Sequence, residues 1–252
     1  MTPKPEKSKP SDKSRLKKKP KFISGIHNYC DRWCERCRFT ERCRVYYSEQ
    51  KYKEKHPYED DDADAFFAHL SHIFGEISQM IEKNAVEMGI DLDEIKKEAK
   101  TRTRGDRLKH PVVEIADQYG RKLHEWLNQK RENIRQTAET LAAISEDEAS
   151  KFIDSVDVVS WYLFFIAVKL SRAIGKDDPD DEFERYDMLG SAKIAIIATE
   201  RSIAAYSIIL NHMPEEEDSL LWFLTRLEKV RRSCNELFPD AMDFIRPGLD
   251  EK

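Results

Sequence analysis

Glycine is scarce in this chain, eight residues in 252, and that scarcity excludes much. A turn-rich β-fold needs more glycine than this. Neither a phosphate-cradling P-loop nor the glycine pattern of a dinucleotide-binding fold is present. There is no alternation of apolar and polar residues, no Asn-Gly or Asp-Gly hairpin signal, and no internal repeat. Long hydrophobic runs are missing as well. The longest, Val156 to Leu170, contains Asp157 and Lys169 and is too short to span a bilayer. No Ser-His-Asp or Cys-His arrangement is legible. The N-terminus has neither the apolar core of a secretory signal nor the amphipathic pattern of a transit peptide, so a cytoplasmic location is expected.

Charged residues make up 36% of the chain, a composition that favours long solvated helices. The net charge of −5 is unevenly spread: residues 1–21 hold nine Lys or Arg against two acids. That segment, mixed with Pro and Ser, cannot build a core and is expected to be a disordered basic tail. Such a tail suits a search along nucleic acid or another anionic surface, or simply keeps the chain soluble.

From about residue 60 the apolar residues recur at three- and four-residue steps. Phe66, Leu70, Ile73, Ile77 and Met80 mark a first helix, and Asp91 could cap a short charged second. Pro111 fits the first turn of a third, with the stripe Val112, Ile115, Tyr119, Leu123, Trp126, Ile134 and Leu141. Ser145 and Glu148 read as a capping box opening a fourth that Gly175 closes. A fifth runs from about Glu184 to His212 and a sixth from Glu215 to Phe238. A short element around 241–245 follows. The expected fold is all-α: an antiparallel helical bundle over residues 59–252, preceded by a small cysteine-rich metal module over 22–58. The fourth and fifth helices are apolar on more than one face, which predicts central positions.

Four of the five cysteines, Cys30, Cys34, Cys37 and Cys43, lie within fourteen residues as C-x3-C-x2-C-x5-C. Four thiolates on one short loop suit a soft tetrahedral centre, an iron–sulfur cluster or zinc. One compact clip is more like a cubane site; structural zinc usually takes two separated knuckles. Arg32, Arg36, Arg38, Arg42 and Arg44 could offset the negative charge of a cluster, and Tyr29, Trp33, Phe39 and Tyr46 could shield it. Cys234 stands alone and reads as a buried, inert thiol.

The C-x2-C-x5-C part resembles the clip that closes the [4Fe–4S] loop of endonuclease III-type DNA glycosylases. It also looks like the clips of Cas4-like nucleases, WhiB-type regulators and the auxiliary-cluster domains of radical enzymes. The resemblance covers fourteen residues and implies that Cys30, Cys34, Cys37 and Cys43 ligate one cubane. Cys30-x3-Cys34-x2-Cys37 also has the radical-SAM spacing, but that family needs a βα barrel, and Cys43 would fill its open iron site.

Other candidates are weaker. Asp154 and Asp157 on the fourth helix and Glu200 on the fifth could line a catalytic or cation-binding pocket. The plainer reading is an ion pair of Arg201 with Asp154 or Asp157 that sets helix register. His69, His72 and Glu76 share metal-ligand spacing, in the wrong order for a di-iron motif. Lys96, Lys97, Lys100, Arg102, Arg104, Arg107 and Lys109 form a second basic cluster that could join the tail and clip in binding phosphate. The function expected first is a [4Fe–4S] binding module for a macromolecular partner, nucleic acid being one class. A helical enzyme around the three carboxylates and a zinc-stapled scaffold are the alternatives.

Overall fold

A computed structural model describes residues 21–55, 110–175 and 181–250, with scattered positions between 71 and 92. Among the described residues every regular element is helical, as expected. They are α1 (Arg44–Lys55), α2 (Pro111–Ile144), α3 (Glu146–Tyr162), α4 (Phe165–Ile174), α5 (Glu182–His212) and α6 (Glu217–Leu237). Short 3-10 turns lie at Cys34–Arg36, Thr40–Arg42, Pro214–Glu216 and Ala241–Asp243. Most of the tail, the stripe of the first expected helix with His69, His72 and Glu76, and the basic cluster from Lys96 to Lys109 lie outside the described residues.

The helix ends follow local chemistry. Pro111 begins α2, where its missing N–H costs nothing, and the His110 ring accepts the Val112 N–H at 3.4 Å. Ser145 serves two helices: its own N–H closes α2 on Leu141 O at 2.7 Å, and its hydroxyl accepts the Glu148 N–H at 3.3 Å to open α3. Asp181 caps α5 by accepting the Glu184 N–H at 3.0 Å. The Gly175 N–H returns to Ser171 O at the end of α4.

The core is built around α5, whose buried residues run along most of its length and contact α3, α4 and α6. Many of them are small (Gly190, Ser191, Ala192, Ala195, Ala198, Ser202, Ala205), so neighbouring helices approach closely. Larger side chains fill the space around them. Tyr206 stacks on Phe223 with centroids 5.7 Å apart, and its hydroxyl meets that of Tyr119 at 3.2 Å inside the protein. Burying one such ring stabilises the fold by about 2–3 kcal/mol. Among the described helices α5 alone has the length and apolarity to cross a bilayer, and it is the helix the others pack around.

Two expectations change. The helix expected to run from Ser145 to Gly175 is two helices, broken at Leu163 and Phe164. No proline or glycine marks the break. Its partner is Gly120 on α2, where a Cβ would lie 2.5 Å from the Leu163 carbonyl oxygen. The second apolar face of that helix (Val158, Trp161, Phe165 and Val168) is core only in part: Val158 and Phe165 pack against the core. Val168 is 63% exposed and Trp161 39%, and the face carrying Trp161 receives the N-terminal cysteine segment.

Candidate metal centre and the arginine cleft

Two tight turns present the cysteines. In each, the residue after a 3-10 turn is a cysteine in extended backbone: Cys37 returns its N–H to Cys34 O, and Cys43 returns its N–H to Thr40 O, both at 3.2 Å. The loop is closed by Ile23 N–H on Arg42 O at 3.0 Å. Between the first two cysteines Arg32 adopts φ +60°, a left-handed conformation costly for any residue with a Cβ. It turns the Arg32 N–H onto the Cys30 sulfur. The Phe39 N–H donates to the Cys37 sulfur at 3.4 Å in the same i to i+2 sense. Amide donors aimed at sulfur favour the thiolate, the form that binds metal. Arg32→Gly should therefore leave stability within about 1 kcal/mol and keep the loop, whereas the β-branched Arg32→Val should cost about 1–2 kcal/mol. Thermal melts of the two variants check this.

All four thiols line one cavity of about 30 Å³, closed by Ile26, Trp33, Phe39, Val45, Tyr46 and Leu249. Burial pushes the Cys30 thiol up, and burial with the neighbouring Glu49, Cys30 and Cys43 charges pushes Cys34 up to about 11. Among the described residues no three His, Cys, Asp or Glu side chains come close enough to hold one metal ion. A zinc tetrahedron needs sulfurs about 3.8 Å apart, given its short Zn–S bonds. A cubane has each thiolate on a separate iron and spreads the sulfurs more widely. The donor set and the apolar lining suit a soft, thiolate-bound centre of either kind.

The sequence missed several neighbours of this cavity. His27 lines it, with Nδ1 buried and unpartnered among the described residues. Lys169 is buried on α4, donates to Asn28 O at 3.1 Å and lies near Cys30; burial and the nearby Arg172 lower its pKa. Tyr29 is not a cavity wall. It lies under the loop against Gly190 and Phe244, and its hydroxyl donates to Asp187 at 3.2 Å.

Asp31 joins the cysteine loop to the helices. Its carboxylate accepts from Tyr162 Oη at 2.9 Å, Arg201 Nη1 at 2.8 Å and the Trp33 N–H at 3.3 Å, while its carbonyl accepts from Trp161 Nε1 at 2.9 Å. Burial pushes the Tyr162 phenol up to about 12, so it remains a donor to Asp31 while accepting from Arg201 at 2.7 Å. Alongside, Arg36 lies 3.8 Å over the Trp33 ring, which stacks on Trp161. Its guanidinium forks between Asp154 and Asp157, the latter at 3.1 Å.

That arrangement corrects the expected pairing. Arg201 binds Asp31, and both acids of α3 are taken by Arg36, because their face meets the cysteine loop. Asp154 and Asp157 keep 58% and 53% of their side chains exposed. Glu200 is exposed on α5 close enough to Arg231 to raise its pKa. The cavities beside the cysteines are lined by none of the three. No family model matches this chain, and neither does any curated protein or solved structure.

The C-terminal segment covers the loop from the other side. Lys193, only 9% exposed, donates to Phe244 O at 2.6 Å and Met242 O at 3.0 Å and pairs with Asp250 at 2.9 Å. Arg246 grips the same carboxylate, and Leu249 reaches the cysteine cavity. Arg246 first and Lys193 next hold Asp250 well below its ordinary 3.8. A depressed carboxylate contributes stability that is complete above about pH 5 and fades as pH falls through its folded value. Acidification should therefore weaken the hold on this segment. Asp250→Asn should cost about 2 kcal/mol at pH 7 and flatten that dependence, read from melts between pH 7 and 3. Cys234, expected to be inert, is fully buried on α6 and pushed by burial to about 12.

Beside the cysteine cavity opens a cleft of about 480 Å³. Cys30 and Cys37 line both spaces, and the outer walls include Arg36, Arg38, Arg201 and Arg246.

Proposed function

We propose that this chain is a metal-binding helical protein in which Cys30, Cys34, Cys37 and Cys43 hold a [4Fe–4S] cluster. The cluster orders a cysteine-rich module against a helical bundle, and the module presents a surface to a macromolecular partner, nucleic acid being the class its chemistry suits. The observation that carries this reading is the convergence of four thiols on one apolar cavity. Cross-linking four points of a short loop, when bound, is what such a group supplies structurally.

The protein's own groups prepare the site. Arg32 and Phe39 direct amides at two sulfurs. Lys169 and Arg32 put positive charge near the Cys30 sulfur. Trp33, Phe39, Tyr46 and Leu249 exclude water. A reducing, cytoplasmic setting suits four unpaired thiols.

Anaerobic purification followed by metal and sulfide analysis tests it. The expected result is a brown protein absorbing broadly near 400 nm with about four irons per chain. One zinc per colourless chain would replace the cluster by zinc. Neither metal would end the proposal.

A further inference from the structure

The cleft beside the cysteines has the size of a ligand site, its 480 Å³ falling in the range typical of small-molecule pockets. Its walls carry four arginines, Arg36, Arg38, Arg201 and Arg246, against one acid, Asp31. A guanidinium has five N–H donors in a planar fork suited to phosphate oxygens. Three of the four are pinned by carboxylates: Arg36 by Asp154 and Asp157, Arg201 by Asp31, and Arg246 by Asp250. Each keeps donors beyond those contacts. On Arg201 one nitrogen carries the bonds to Asp31 and Tyr162, and on Arg246 the bonds to Asp250 use Nε and Nη2.

Arg38 is different. Among the described residues it makes no ion pair, and it lies 4.7 Å over the Phe39 ring. Guanidiniums held in place before a ligand arrives lose little freedom on binding it. Aromatic rings alternate with these cations. Trp33, Phe39 and Tyr162 also form walls, and base stacking on such rings is a common way to hold nucleotides.

We propose that this cleft binds the phosphate of a nucleotide, either free or within a single strand, with Arg38 as its principal donor and Arg36, Arg201 and Arg246 beside it. The proposal deepens the reading above by assigning the surface that meets nucleic acid. It rests on that reading for the partner class, while the arginines themselves stand on geometry.

The test is calorimetric titration of the full chain, as purified, with three probes: inorganic phosphate, AMP, and a 5′-phosphorylated single-stranded decanucleotide. Metal content is measured on the same preparation, so failure of the centre and failure of the cleft are read separately. Saturable binding of AMP and strand alike points to the free nucleotide as sufficient; binding of the strand alone points to the polymer. In either case Arg38→Ala should weaken binding about tenfold to a hundredfold, as expected for a hydrogen-bonded charge pair. Its melting temperature should not change, since no ion pair among the described residues is lost. Arg38→Lys should recover part of the affinity.

Absence of saturable binding by all three probes at millimolar concentration overturns the proposal. So does binding that neither Arg38→Ala nor Arg36→Ala weakens, because the basic N-terminal tail would then be the site.

Discussion

Cys34→Ser should bring the iron content and the absorption near 400 nm down to background while the far-ultraviolet helical signal barely changes. Cys34 opens the first 3-10 turn and lies close enough to Cys30 and Cys43 for their charges to raise its pKa. Serine is a hard oxygen ligand, poorly matched to a soft iron or zinc centre. The helical core does not depend on this residue; Tyr119, Phe152, Tyr206 and Phe223 are buried far along the chain from the clip. With the proposed centre bound, what is lost is the cross-link; structural zinc in finger peptides is worth about 10 kcal/mol or more. Protease sensitivity between residues 30 and 43 should therefore rise sharply. Cys234→Ala is the matched control. It removes a thiol buried among α6 neighbours, should cost about 1–2 kcal/mol, and should leave the metal in place. If Cys34→Ser retained a full complement of metal, Cys34 would not be a ligand.

Gly190→Ala should disturb both the fold and the centre. At this point of α5 a Cβ would lie 2.5 Å from two ring carbons of Tyr29 and 2.9 Å from the Phe244 ring. Tyr29 cannot swing aside cheaply. Its ring is buried, packs edge-on against Phe244, and its hydroxyl is committed to Asp187. Overpacking of this kind costs about 1–3 kcal/mol, and here it acts on the residue next to Cys30. The expected outcome is a melting temperature several degrees lower together with reduced metal retention on dialysis against a chelator. Unchanged stability and retention would mean that the approach of Tyr29 to α5 is not what seats the loop.

The same contact explains why some features were legible along the chain and others were not. Helix ends are set by a few consecutive residues. Pro111 in the first turn of α2, Ser145 before Glu148 and Gly175 after Ile174 each act over one turn, so their pattern is visible directly, whereas the Asp181 cap of α5 emerges only with the structure. The clustering of Cys30, Cys34, Cys37 and Cys43 is equally local. By contrast, Asp154 and Asp157 looked like partners of Arg201 because helix periodicity says nothing about a loop arriving from residue 36. Asp31, a lone aspartate between cysteines, carries no signal until Tyr162 and Arg201 are brought to it from 131 and 170 residues away. Lys169 read as an interruption of an apolar run; its role depends on Asn28 reaching it across the fold.

Short-range rules, capping and periodic apolar spacing, thus made the all-α character readable from the order of residues. The break between α3 and α4, the docking of the cysteine loop, and the meeting of four arginines in one cleft arise otherwise. They depend on what approaches the helix backbone closely, the Leu163 carbonyl at Gly120 and the Tyr29 ring at Gly190, and on which charges are left to pair once the apolar faces are buried. Those are properties of distant segments packed together, and no window of neighbouring residues contains them.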